Sequence, residues 1–408
     1  MLRESPYPMV QIGEARHIIA EHALALGIEE ASALAADGRI LAEDVYAGAP
    51  IPDMPKSAVD GYALIADDGI APRRVLAELT AGNASGISLT PGTAVRIMTG
   101  APVPPGATAV IMVEQTEEHD GMLTIRHPVS LGNSIHTIGQ DIANGELVLA
   151  RGSVIGSAEI GLLATIGQTR IKLYRRPIVA VLATGDEVFA PDGLPIAGGV
   201  RDSNSYALLA AARDAGCETI ALGIARDDAA TQEAAILNGL EQADVLLTSG
   251  GVSMGTRDLI KPLLAKLGTV HFGRIAFKPG KPTTFATIGK KLAFGLPGYP
   301  VSSLVSFEVF VRPALRRLQG DPHPDRPRVS VTLLDPIHSS PDRPEYQRAI
   351  VSWMNGRLVA RSTGGQGSSR LLSLRAANAL VHVPASGSIF QPGETLEALL
   401  VGPLSQLL

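Results

Sequence analysis

The sequence predicts a multidomain chain of the α/β plus β class. A doubly wound α/β domain is expected beside a discontinuous helical and mixed domain, a β-rich insertion and a C-terminal β-barrel. Three observations predict this. At 408 residues the chain is too long for one ordinary core, so three or four domains are expected. Across 177–320, strand-length apolar runs alternate with helix-period segments, the pattern of a parallel sheet covered by helices. At 45–140 and 321–408, short β-type runs follow one another instead.

The elements follow in order. Ile18, Ile19, Ala23 and Leu26 share a helical face that stops at Gly27, and a second short helix is expected around 34–43. From 45 to 140 the β-type runs 61–65, 75–79, 95–98, 109–113 and 123–126 are separated by Gly and Pro. Residues 141–176 return to mixed character, with Ser157 placed to cap a helix through Thr165. That segment is expected to pack with 1–44 as one discontinuous domain.

In 177–320 the strand 178–183 leads to helix 203–215, ended by Gly216. Strand 219–224 leads to helix 228–241, where Ala230, Ala234 and Leu237 fall at helical spacing. Strand 245–248 leads through a glycine loop to helix 257–267, and strands 283–288 and 292–296 to helix 301–319. The final segment carries five strand-like runs at 328–333, 347–353, 358–362, 379–383 and 395–400, enough for a small barrel.

Composition narrows function. Hydrophobic residues at 45% and charged residues at 18% describe a globular chain. A net charge of −5 and 4% aromatics argue against a nucleic-acid binder, because neither a basic field nor stacking rings are abundant. Cys217 stands alone, so an intrachain disulfide framework and a Cys-cluster metal site are excluded. The early proline and charges of the first residues match neither a secretion signal nor a membrane span, and a cytoplasmic protein is expected. The nine histidines lack HxH or HExxH spacing, and no GxSxG elbow supports a serine nucleophile.

Chemistry concentrates in loops that follow strands of the α/β region. Thr184-Gly185-Asp186-Glu187 puts two carboxylates where such a sheet presents its ligand, suited to holding Mg²⁺ against phosphate. A plain turn, with Asp186 bonding its own backbone, is the alternative. Ser249-Gly250-Gly251-Val252-Ser253-Met254-Gly255 lets backbone approach a phosphate, although it is neither GxGxxG nor a Walker A loop. Asp258 could coordinate a cation or be a first-turn acid favoured by the helix dipole. In Lys278-Pro279-Gly280-Lys281-Pro282, prolines stiffen a loop carrying two lysines, with Arg274 nearby, as a clamp for a polyanion. A solvated basic loop would read the same way.

The loop Gly295-Leu296-Pro297-Gly298-Tyr299-Pro300 sets Pro300 near the first position of a helix, where an anion could rest. Asp227 is expected to cap its helix. Asp60 and Thr99 lie in turn-like stretches beside strands, and 363–369 is a donor-rich loop suited either to an oxyanion or to a barrel turn.

Taken together, SAVDGYA (57–63), RIMTGAPVP (96–104), ATGDEV (183–188), SGGVSMG (249–255), KPGKP (278–282) and GLPGYPVS (295–302) closely resemble the MoeA family. The likeness runs over essentially the whole chain, and eukaryotic relatives are the gephyrin E domain and its plant counterpart. The resemblance implies a MogA-like α/β domain within a four-domain subunit: 1–44 with 141–176, then 45–140, 177–320 and 321–408. It implies molybdopterin molybdenumtransferase activity, in which adenylyl-molybdopterin and molybdate give molybdenum cofactor and AMP with Mg²⁺ assisting. It further implies an elongated homodimer, with Asp60 and Thr99 supplied in trans to the cleft, and contact with molybdopterin adenylyltransferase and molybdopterin synthase.

On the same resemblance Glu187, Asp227 and Asp258 match acidic site residues, with Glu187 and Asp258 as the metal ligands. Lys278 and Lys281 match a basic loop that neutralises charge as the anhydride breaks. Ser249, Gly250, Gly251, Ser253, Arg274, Pro297 and Pro300 fall in substrate-binding segments, and Arg348 and Ser368 match positions at the molybdate or pterin end. Two residues depart from the family pattern. Tyr299 stands where GLPGNP has Asn, and Arg274 replaces a frequent Lys, keeping charge but changing hydrogen-bond geometry. The alternatives are a molybdopterin adenylyltransferase, which shares the α/β module, and a non-catalytic gephyrin-like scaffold.

Overall fold

A computed structural model describes residues 7–82, 86–252 and 259–404. These form two compact units, one of Met1–Ala31, Gly38–Ala42 and Lys172–Leu408, the other of Ser32–Asp37 and Glu43–Ile171.

The larger unit is built on a six-stranded sheet. Its strands are β1 (Ile178–Thr184), β2 (Glu218–Ala225), β3 (Val245–Ser249), β4 (Thr269–Phe272), β5 (Thr284–Ile288) and β6 (Lys291–Leu296), ordered β2-β1-β3-β6-β5-β4. The crossover helices are α1 (Asn204–Asp214), α2 (Ala229–Gln242) and α3 (Ile260–Leu267). Strands β1 and β3 are apolar on both faces and almost wholly buried, as expected of a sheet covered by helices on each side. Parallel pairing holds for β2, β1, β3 and β6.

The wholly parallel expectation is corrected at β5, which runs against its neighbours. Only Gly289 and Lys290 separate β5 from β6, and so short a link can join antiparallel strands alone. Strand β4 was not anticipated. It follows Gly268, where a Cβ would sit 2.1 Å from the Thr287 carbonyl oxygen.

Four local expectations change. The helix expected at 301–319 is a helical run in three parts: α4 (Pro300–Ser306), a π-turn over Phe307–Val311, and α5 (Arg312–Leu318). Pro313 cannot donate to the carbonyl four residues back and its ring crowds it, so the wider turn falls just before. At 34–43 there is only a 3₁₀ turn, Ala33–Ala35, because Gly38 (φ 72°) ends the period and Ile40 and Leu41 are buried in extended chain. Ser157 begins its helix instead of capping it, since the Glu159 carboxylate accepts from the Gly156 N–H at 2.9 Å. Asp228, not Asp227, caps α2, accepting from the Thr231 N–H at 2.7 Å.

The helix Ile12–His22 falls in the larger unit. Flanking chain bonds there through Val10 N–H to Arg274 O (3.1 Å) and Leu26 N–H to Leu318 O (2.8 Å). The same unit ends in a closed barrel of β7 (Arg328–Leu333), β8 (Glu345–Met354), β9 (Arg357–Ser362), β10 (Ala379–Val383) and β11 (Thr395–Leu400), around Val331, Val351, Ala360 and Val381.

The smaller unit carries a second six-stranded sheet, ordered Ala109–Met112, Gly61–Leu64, Thr93–Ile97, Arg73–Leu79, Met122–Ile125, Thr116–His119. Gly61 lets its strand meet the edge strand Ala109–Met112, for a Cβ there would fall 1.8 Å from the Ile111 carbonyl oxygen.

Candidate functional site

The order β2-β1-β3 places a switch point in the sheet. The chain leaves β1 through α1 to one side, then returns through α2 past β1 to β3 on the other. The carboxyl ends of β1 and β3 therefore face a crevice that no crossover covers, where doubly wound sheets hold their ligands. A cavity of about 630 Å³ opens there, within the size range of small-molecule sites.

From β1 come Thr184 and Glu187, and from β3 come Ser249, Gly250, Gly251 and Val252. Gly250 (φ 92°) and Gly251 (φ 63°) fold the second loop onto the end of β1; a Cβ on Gly250 would lie 2.7 Å from the Thr184 carbonyl oxygen. One expected donor is already engaged, because the Gly250 N–H bonds to Leu296 O at 3.1 Å. Ser249 Oγ accepts from Asn204 Nδ2 at 2.7 Å, which leaves the serine proton for a ligand. Pro297, Tyr299 and Pro300 line the wall beyond, and Ser369 approaches from the barrel segment.

Asn204 joins these walls. Its Nδ2 also donates to the Gly298 carbonyl at 2.8 Å, so one amide ties the loop after β3 to the loop before α4. Sequence reasoning missed it, along with Asp202, Tyr299 and Pro282 as lining residues. Asp202, one residue before the N-cap Ser203, accepts from Ser205 N–H in the first turn of α1 at 3.0 Å. The signal was a polar triplet, Asp202-Ser203-Asn204, at the start of the first crossover helix, which must open toward the ligand edge.

The other expected residues divide. Asp227 stands behind the first loop: its N–H donates to Asp186 Oδ1 at 3.1 Å and its Oδ1 accepts from Gln232 at 3.3 Å. Lys278 Nζ donates to the buried Glu345 at 2.9 Å, fastening its loop to β8. Lys281, Lys278 and Arg274 are not among the described residues lining the cavity; of that stretch Pro282 is. Ser368 gives its carbonyl to the Val301 N–H at 3.1 Å. Arg348 is 1% exposed, with Nε on Ser373 Oγ (3.0 Å) and Nη2 on Gly367 O (3.3 Å). Burial pushes its pKa down to about 10, and in this position it holds the 364–369 loop from below. Ser253 and Asp258 lie outside the described residues.

A divalent ion fits the donors present. Among the described residues no three His, Cys, Asp or Glu groups could hold a metal by themselves. Mg²⁺, however, takes one or two carboxylates and completes its shell with water and phosphate oxygens. Glu187, which lines the cavity, carries a carboxylate of the kind that would serve as one such ligand.

In the smaller unit the structure brings Asp60 and Thr99 together. Asp60 Oδ1 accepts from the Thr99 N–H (2.7 Å) and hydroxyl (2.8 Å). The backbone bond first and the hydroxyl second hold this exposed carboxyl below its ordinary value of 3.8. A carboxylate with a depressed pKa adds stability above the unfolded value that is lost as pH falls through the folded one. Thr99→Val removes the hydroxyl bond, so the Asp60 pKa is expected to rise toward 3.8 in a carboxylate NMR titration. An unmoved titration would mean the hydroxyl contributes nothing.

The MoeA N-terminal region (domain I and II) matches residues 10–167, a probable molybdopterin binding domain 180–317, and the MoeA C-terminal region (domain IV) 330–401. Molybdopterin molybdenumtransferase 2 of Mycobacterium tuberculosis is 38% identical, over 86% of this chain and 89% of that protein. Molybdopterin molybdenumtransferase of Haemophilus influenzae is 35% identical over 94% of each. Gephyrin of Dictyostelium discoideum is 39% identical over 99% of this chain, which spans 64% of that longer protein. The crystal structure of the molybdopterin biosynthesis MoeA protein of Pyrococcus horikoshii superposes with a TM-score of 0.83 at 31% identity, covering 97% of this chain and all of that one.

Proposed function

This chain belongs to the molybdopterin molybdenumtransferase family and is an enzyme of molybdenum cofactor biosynthesis, and from that premise we propose its reaction. Its substrates are adenylyl-molybdopterin and molybdate. Water attacks the phosphoanhydride and AMP leaves; molybdenum then exchanges oxygen ligands, which depart as water with the thiol protons, for the two dithiolene sulfurs. The observation that supports this reading is the cavity at the β1/β3 switch point, which sets a carboxylate on one loop across from a glycine-folded loop on the other.

Within that reading Glu187 at the wall, with Asp258, holds Mg²⁺, which would offset negative charge on the pyrophosphate. Ser249 and the backbone of Gly251, in the loop that Gly250 folds, seat a phosphate. Asn204 keeps the two walls in register, and Lys278, anchored by Glu345, lends positive charge from the loop beyond. Homodimer formation, contact with the enzymes that supply the substrate, and a cytoplasmic location belong to the same proposal. Among the described residues no helix is long and apolar enough to cross a membrane.

The test mixes purified protein with adenylylated molybdopterin and Mg²⁺, adds molybdate and follows AMP. Release that rises with molybdate supports the proposal; none at any molybdate concentration overturns the reaction.

Asn204→Ala is expected to lower kcat/KM for AMP release about tenfold, since losing one partly buried and one exposed bond removes on the order of 1–2 kcal/mol. Asn204→Asp should be worse, because it turns a carboxylate toward the Gly298 carbonyl. Wild-type kinetics in both variants would refute the latch.

A further inference from the structure

Tyr299 is the only aromatic side chain among the described residues lining the cavity, and it is 63% exposed. Aromatics make up 4% of the chain, so a ring at this wall is a distinct chemical element of the site. Its mounting is stiff. The preceding Gly298 carbonyl is held by Asn204, its own carbonyl accepts from Ser303 N–H at 2.9 Å, and Pro300 follows, keeping Tyr299 extended at φ −72°, ψ 129°. A tyrosine has two side-chain torsions to fix, so a rigidly mounted ring offers contact area at low entropic cost. Pro297 and Pro300 add flat apolar surface beside it.

The lining at the strand ends is of another kind. Glu187, Ser249 and the Gly251 backbone suit a phosphate or its metal ion. The phosphate-suited groups thus lie at the strand ends and the aromatic ring at the loop before α4.

We propose that Tyr299 is a stacking platform for a planar heteroaromatic ring of the substrate, seated while the phosphates lie toward β1 and β3. The inference rests on the reaction proposed above, whose substrate carries such a ring at each end, an adenine and a pterin. Stacking reads the π-face and tolerates different edges, so the shared chemistry is a flat, nitrogen-rich bicyclic ring.

Calorimetric titration of the full chain with AMP, pterin-6-carboxylate and inorganic pyrophosphate separates the two sources. Tyr299→Phe should bind every probe within about twofold of wild type. Tyr299→Ala should lose about tenfold or more in affinity for one ring probe, within the range that alanine substitution costs at base-stacking sites. Pyrophosphate binding should be unchanged, which also verifies that the variant is folded. A loss for AMP alone assigns the platform to the adenine end, and a loss for the pterin alone to the pterin end. Equal ring affinities in wild type and Tyr299→Ala overturn it, as does failure of wild type to bind either ring. Molybdate-dependent AMP release with no Tyr299 effect would remove the platform and leave the reaction. A Tyr299-dependent pterin affinity without AMP release would do the reverse.

Discussion

Gly250→Ala is expected to reduce molybdate-dependent AMP release by about 100-fold or more. Two features set the size. The added Cβ would stand 2.7 Å from the Thr184 carbonyl oxygen, a backbone atom at the end of a buried strand that cannot swing aside. The φ of 92° is also one that L side chains rarely adopt, so relief by local adjustment is strained as well. The loop must therefore shift by several tenths of an ångström, and a displacement of about 1 Å at a reacting centre can cost on the order of 100-fold. Stability should fall by only about 1–3 kcal/mol, since the clash is confined to one loop. Activity and thermal unfolding measured side by side check both statements. Near-normal AMP release would mean that the close approach of this loop to β1 is incidental.

Glu187→Gln is the second large effect, an expected loss of about 100-fold in AMP release, comparable to removing one charge-stabilising group from an active site. The substitution keeps size and removes charge at the cavity wall, so folding should be unaffected. A requirement for more Mg²⁺ should accompany the loss if the carboxylate is a metal ligand, because glutamine is the poorer donor to a hard cation. The measurement is AMP release across a Mg²⁺ series. Activity within threefold of wild type at every concentration would dismiss the carboxylate from the site.

These residues were legible in the sequence for a definable reason. Thr184–Glu187 and Ser249–Gly251 each follow a continuous apolar run, and a buried parallel strand announces its own carboxyl end. The barrel strands were equally plain, being short runs bounded by Gly and Pro. What failed depended on tertiary partners. The segment 34–43 contains helix formers, but burial of Ile40 and Leu41 in extended chain outweighs propensity there. Asp227 and Asp228 are adjacent, and only backbone geometry decides which one caps α2.

Asn204 was hidden because its two partners, Ser249 and Gly298, lie 45 and 94 positions away. Arg348 shows the opposite difficulty. Its place in the chain pointed to a ligand, yet its donors face Ser373 and Gly367, and its contribution reaches the cavity through the loop it supports. Residue type and spacing identify a charged group; they do not say whether it meets solvent.

The reversed strand β5 carries a practical consequence. Because it runs against its neighbours, it begins at the ligand-bearing edge, next to Pro282, and delivers the chain to the opposite edge at Gly289-Lys290. Both turn residues are exposed, and a Cβ on Gly289 would meet nothing within 4 Å, although its φ of 58° favours keeping the glycine. Five strand residues at roughly 3.3 Å each separate this turn from the cavity wall. A fluorophore attached through a cysteine at position 290, or a short peptide inserted after it, would therefore ride on the same hairpin as the cavity edge while remaining about 17 Å from it. That makes the turn a handle for immobilising or labelling the enzyme without entering its chemistry.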